Sequence, residues 1–186
     1  LGDDCLRGAV LAVAAAGLAA LLLAGLRRAG RRRQAVLAGA ALAYGAAVWH
    51  LRARPEEALH LAEYGLLAVL AVRALRHAGR DRLLWPTAAA LAVFFGIMDE
   101  IIQWYTPRRF FDFRDLAINL AGALLMLAVM RWGLRWPPAA APADARSWRR
   151  FSAALTLAWA ALSFCLLNTP ARQARLGAWL PPIRAV

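Results

Sequence analysis

Between Asp99 and Gly122 the chain reads DEIIQWYTPRRFFDFRDLAINLAG. Two adjacent carboxylates (Asp99, Glu100), an amide (Gln103), two adjacent guanidinium groups (Arg108, Arg109) and an acid–amide pair (Asp115, Asn119) fall in this one stretch. A second cluster, His60, Glu63 and Tyr64, precedes it. Adjacent Arg side chains grip phosphate or carboxylate. A carboxylate shielded from water works as a general acid or base. An imidazole exchanges protons near neutral pH. Asp99, Glu100 and His60 are therefore the candidate catalytic residues. Arg108, Arg109, Gln103, Tyr64, Glu63, Asp115 and Asn119 are the candidate ligand-binding residues.

The spacings put these groups on helix faces. Asp99 and Gln103 are four apart, as are Asp115 and Asn119, while His60, Glu63 and Tyr64 follow an i, i+3, i+4 pattern. Neighbouring Asp99 and Glu100 point about 100° apart on a helix, so at least one faces the interior of a bundle. Gly122 continues the Asp115–Asn119 face and lets a neighbouring helix approach closely.

The elements that carry them are apolar. Of 186 residues, 62% are hydrophobic, above the share of about half usual in soluble domains. Runs of Ala, Leu and Val alternate with clusters of Arg, the pattern of an all-α, polytopic transmembrane helical bundle. A helix needs roughly 20 apolar residues to cross a bilayer. About six segments approach that: 8–26, 34–51, 59–75, 83–103, 115–132 and 151–169. The second is the weakest. The first is expected to be a helix rather than a signal peptide, because no small-residue cleavage site follows it. Pro86 opens the fourth segment in its first turn, where the missing N–H is tolerated. Pro137 and Pro138 close the fifth, and PPAAAPADARS reads as a flexible connector. The chain divides into two N-terminal helices (1–52), a core of three (53–132), and a connector with the last helix and an outward tail (133–186).

The net charge of +12 would suggest nucleic acid in a soluble protein. Here the Arg residues lie between apolar segments, which points instead to topology and lipid headgroups, with no nucleic-acid partner. Fourteen of the 23 basic residues fall on one side of the expected bundle and nine on the other. The Arg-rich side is expected to be cytoplasmic. The candidate site then lies in one polar layer at the outer leaflet. Asp99 sits about 6 Å inside the apolar region at 1.5 Å per residue. An ionised carboxylate at a helix centre costs about 2.5–3.5 kcal/mol, so such residues mark functional sites by default. The structural alternative is that His60, Glu63, Asp99 and Asp115 pair with Arg108, Arg109 and Arg114 and pin three helices together.

No metal or other cofactor is expected. There is no H-E-x-x-H, no second His in the layer, and the adjacent Arg compete for the carboxylates. A serine nucleophile lacks its G-x-S-x-G context. Cys5 and Cys165 read as separate thiols, a bridge between them being the alternative. A transporter is disfavoured, since the ionisable residues sit at one end rather than at the midplane.

The stretch from Asp99 to Gly122 resembles the D-E-x-x-Q…P-x-R…D-x-x-x-N-x-x-G signature of VanZ-like membrane proteins. HLAEYGLLAVL resembles the H-x-x-x-Y-x-x-L segment that precedes it in that family. The likeness covers about residues 50–132. Carried over residue by residue, it marks His60, Tyr64, Asp99, Glu100, Gln103, Pro107, Arg109, Asp115, Asn119 and Gly122. Relatives often carry a Lys shortly before the His. This chain has Glu56 and Glu57 there, so a role for that Lys in gripping an anion would pass to Arg52 or Arg54. FFDF also replaces smaller polar residues before the Asp. The resemblance implies a multi-pass protein of the bacterial inner membrane, and the family's namesake is linked to low-level teicoplanin resistance. The expected partner is a membrane lipid or lipid-linked envelope precursor with an anionic head. The alternative is a non-enzymatic accessory or structural membrane protein.

Overall fold

The computed structural model describes residues 8–9, 16–17, 30–79, 81–104, 112–136 and 141–167. Most of the first apolar segment, the Arg108–Arg109 pair, Pro107, Cys5 and the C-terminal tail lie outside them.

The described residues form five helices: α1 (Arg31–His50), α2 (Pro55–Arg76), α3 (Leu84–Trp104), α4 (Phe113–Ala128), which continues as a π-helical turn (Val129–Leu134), and α5 (Ala145–Leu167). Glu57–Arg76, Leu84–Gln103 and Phe113–Leu134 are long and apolar enough to cross a membrane. The molecule is all-α, as expected.

Three helices start earlier than their apolar runs, each for a local reason. Pro55 occupies the first turn of α2, where its fixed φ favours the helix. This brings Glu57 into the helix, and it is buried there. Asp112 caps α4 by accepting from the Arg114 N–H at 2.7 Å, an orphan donor that needs such an acceptor. Arg114 therefore belongs to the first turn of α4 and not to the preceding loop. The Asp144 carboxylate accepts from the Ser147 N–H at 2.7 Å, so the end of the supposed connector is the start of α5. That hydrogen bond holds the Asp144 carboxyl below the usual carboxylate range. The fifth segment ends in the π turn, closed by Arg135 at φ 53°.

The core is built from four-residue ridges. Tyr64, Ala68 and Val72 of α2 meet Leu84, Ala88 and Ala92 of α3 and Ala123 and Leu127 of α4, the i±4 rows by which helices interdigitate. Most extensive is the packing of α2 on α4, and glycine makes it so. A Cβ on Gly122 would collide with the Leu61 carbonyl oxygen and lie 3.1 Å from its carbon. One turn further along α2, a Cβ on Gly65 would lie 3.8 Å from the Gly122 carbonyl oxygen. Gly96 does the same for α3: a Cβ there would meet Leu116 Cδ1 at 3.2 Å, Tyr64 Cε1 at 3.5 Å and Asn119 Cβ at 3.6 Å. Removing side-chain volume lets helix backbones close on one another where no hydrophobic effect drives them together.

Contacts between the connections sort the two ends of the bundle. Arg33 Nε donates to the Gly133 carbonyl at 2.9 Å. Arg76 lies over the Trp136 ring, and Arg131 lies near Trp85 and Trp132. The Arg-rich connections therefore converge at one end, as their alternation in sequence implied. A buried polar cluster at that same end corrects the expectation of a single polar layer. The Ser147 hydroxyl donates to Asp81 Oδ2, and Arg150 Nη2 donates to Ser147 Oγ at 2.9 Å. This latch joins the start of α3 to α5.

Candidate functional site

The remaining polar residues gather at the opposite end, where α2 begins, α3 ends and α4 begins. The i±4 ridge of α3 runs Leu84, Ala88, Ala92, Gly96, Glu100, and it carries Glu100 into the core with no exposed surface. Its neighbour Asp99, one residue off that ridge, is partly exposed. The two adjacent carboxylates therefore divide: one interior, one at the rim.

Glu100 Oε2 accepts from the Asp112 N–H at 3.0 Å, so a side chain of α3 holds the start of α4. Oε1 is buried and lacks a hydrogen-bond partner. Asp115, Asp99 and His60 lie close enough to act on Glu100 electrostatically. Asn119 occupies the matching place on the α4 ridge, one turn before Ala123 and Leu127. It has no exposed surface, and neither amide atom makes a hydrogen bond. Tyr64 is buried beside it at the Gly96 crossing, its hydroxyl donating to the Phe95 carbonyl at 3.3 Å.

At the rim, Gln103 Nε2 donates to Asp99 Oδ2 at 3.0 Å, the expected i, i+4 bond. His60 Nδ1 lies 3.5 Å from Glu63 Oε2 and 3.9 Å from Asp99 Oδ2. That is an ion-pair arrangement for a protonated ring, too long for hydrogen bonds. The His60 and Tyr64 ring centroids are 6.5 Å apart. Glu63 is the most exposed of the set. His60, Glu63, Tyr64, Asp99, Glu100, Gln103, Asp115 and Asn119 thus share one end of a three-helix junction. Arg108 and Arg109 lie outside the described residues. Among the described residues, no three His, Cys, Asp or Glu side chains are arranged to hold a metal ion.

One participant was missed in the sequence. Glu57 is buried, with Arg54 Nη1 at 2.8 Å and Arg114 Nη2 at 2.9 Å. Arg114 therefore pairs with Glu57, a residue that had counted only as the absence of a base. The signal was present: Glu57, Leu61, Tyr64, Ala68 and Val72 form one helical stripe. Arg54→Ala or Arg114→Ala alone leaves the other guanidinium in place and should cost about 1 kcal/mol or less. The double variant removes both guanidinium groups from a buried carboxylate and should cost more than the two single variants together. Thermal midpoints of the four proteins in detergent check this non-additivity.

The order of these residues along the chain matches one family. The family model described as VanZ/LLP1 matches residues 43–134. That match supports a VanZ-like family assignment. The matched region runs from the end of α1 through α2, α3 and α4 to the close of the π turn, so it holds every described residue of the junction. No curated protein and no solved structure matches the chain. As a VanZ-like protein with three membrane-length apolar helices, it is a membrane protein.

Proposed function

We propose that this VanZ-like protein uses the polar end of its bundle, at the outer leaflet of the bacterial inner membrane, to bind or process an anionic cell-envelope amphiphile. A lipid or lipid-linked precursor fits this role, and the family's link to teicoplanin resistance is consistent with it. The observation that carries the reading is the pair of fully buried side chains with unused hydrogen-bonding capacity, Glu100 and Asn119. An unmet buried polar group costs about 1–3 kcal/mol. Polar groups kept only to hold helices together would be satisfied by one another.

In this reading Arg108 and Arg109 grip a phosphate or carboxylate in fork geometry. Asn119 and Tyr64 line the inner part of the site, and Gln103, Glu63 and Asp115 shape its rim. If a reaction occurs, Glu100 or Asp99 acts as general acid or base and His60 exchanges the proton with water. The accessory or structural reading has its own support in the Glu57 ion cluster and in the Glu100 bond to Asp112, both of which pin helices.

Arg109→Ala and Asp99→Asn separate the two readings. Both variants are expected to insert normally and to lose the anionic envelope amphiphile that native mass spectrometry is expected to find on the parent protein, with any phospholipid held elsewhere on the bundle unchanged. Unchanged amphiphile and unchanged cellular phenotype in both would overturn the proposal. Loss of folded yield, restored by reversing the charges of a pair, would favour the structural role.

A further inference from the structure

At the Arg-rich end, α3 and α4 leave a groove of about 720 Å³ between them. It is lined by Trp85 of α3 and by Ala121, Leu124 and Trp132 along α4 and the π turn. Arg82 and Arg131 also line it. From Ala121 to Trp132 the helix rises about 16 Å, long enough to lie along much of one acyl chain.

The two Arg decide what the groove suits. Among the described residues, neither Arg82 nor Arg131 pairs with a carboxylate. The Arg131 guanidinium instead sits 6.0 Å from the Trp85 ring and 5.4 Å from the Trp132 ring. Two guanidinium groups without acid partners at one end of an apolar trough match a molecule with an anionic head and a hydrocarbon body. The chain's own apolar segment 8–26 is a poor fit. It carries no acid, and Arg27, Arg28, Arg31, Arg32 and Arg33 follow it. A second copy, with net charge +12, would likewise bring positive charge to positive charge. Basic pockets between membrane helices are known to take phospholipid headgroups.

We infer that this groove is a binding site for an anionic glycerophospholipid. Arg82 and Arg131 hold its phosphate, and an acyl chain lies along Ala121, Leu124 and Trp132. The site stands apart from the polar junction and does not depend on the function proposed for it.

The test reconstitutes the full chain in phosphatidylcholine vesicles containing a minor fraction of phosphatidylglycerol with a photoactivatable acyl chain. Residues 115–131 form a single tryptic peptide, extended to 115–135 when Arg131 is replaced, and labelling summed over 115–135 should carry the signal. Excess phosphatidylglycerol should compete it away, and excess phosphatidylcholine should not. The Arg82→Gln/Arg131→Gln double variant should lose about tenfold or more of the labelling, several-fold for each Arg removed. Arg73→Gln/Arg149→Gln, two exposed Arg at the same end but outside the groove, should leave it unchanged. Three results would overturn the site. Equal labelling by a phosphatidylcholine analogue would mean lipid packing without selection. Equal loss in the control pair would mean diffuse attraction. A photoreactive residue in place of Leu124 that cross-links to residues 8–26, or to a second copy, would mean the groove is filled by protein.

Discussion

Replacing Gly122 with Ala is expected to cause the largest loss of stability of any one-carbon change in the described core. The added Cβ would collide with the Leu61 carbonyl group, which is helix backbone. It cannot rotate away as a side chain does, so α2 and α4 must separate along their whole contact. Overpacking of this kind costs about 1–3 kcal/mol and occasionally more. The separation would also move Tyr64 and Asn119, whose positions depend on that crossing. A clear fall in the thermal midpoint and a lower monodisperse yield in detergent are expected for Gly122→Ala, with collapse for Gly122→Leu. Two controls locate the cause. Gly39→Ala has nothing within 4 Å of the new carbon, and should be neutral or stabilising by about 0.5–1 kcal/mol. At Gly133 the nearest atom to a new Cβ is Leu37 Cδ2, the end of a flexible side chain, so Gly133→Ala should cost far less than Gly122→Ala. Equal effects in all three would show that glycine content, not the α2–α4 crossing, sets stability.

The second large effect is a dissociation of stability from function at Asn119. Its amide is fully buried, with neither polar atom hydrogen-bonded. Exchange for a leucine of similar size removes a group whose burial costs about 1–3 kcal/mol. Asn119→Leu should therefore melt at the same temperature as the parent or higher. Binding of the anionic lipid at the polar end should nevertheless be lost. Glu100→Gln extends the test. Its amide oxygen can still accept from the Asp112 N–H, so the start of α4 stays held, while the carboxylate is gone. Glu100→Leu removes that acceptor as well and should destabilise. A fall in melting temperature for Asn119→Leu comparable to that of Gly122→Ala would mean the amide serves packing. The pocket reading would then give way to the structural one.

These expectations rest on features of unequal legibility in the sequence. The helical class and the alternation of Arg-rich connections follow from composition and period alone. The spacing of Asp99 and Gln103 likewise specifies their bond, because both partners lie on the same helix and its geometry sets their distance. Local signals were harder to weigh. Pro55, Asp112 and Asp144 are ordinary helix-start residues, yet hydropathy placed three helix starts a few residues late because first turns are polar.

What only the tertiary structure decided is how side chains from different helices meet. Sequence showed that one of two adjacent carboxylates must turn inward, but packing against α4 selected Glu100 and left Asp99 at the rim. Arg114 could have paired with any nearby acid. The depth of Glu57 at the start of α2 made it the partner, because a buried carboxylate gains most from a guanidinium. The latch of Asp81, Ser147 and Arg150, and the groove between Arg82 and Arg131, join residues distant in the chain whose proximity no periodicity encodes. Period along one helix is a local property of the chain. The distance between helices is set by where side chains are small enough for backbones to touch, and here that is decided at Gly65, Gly96 and Gly122.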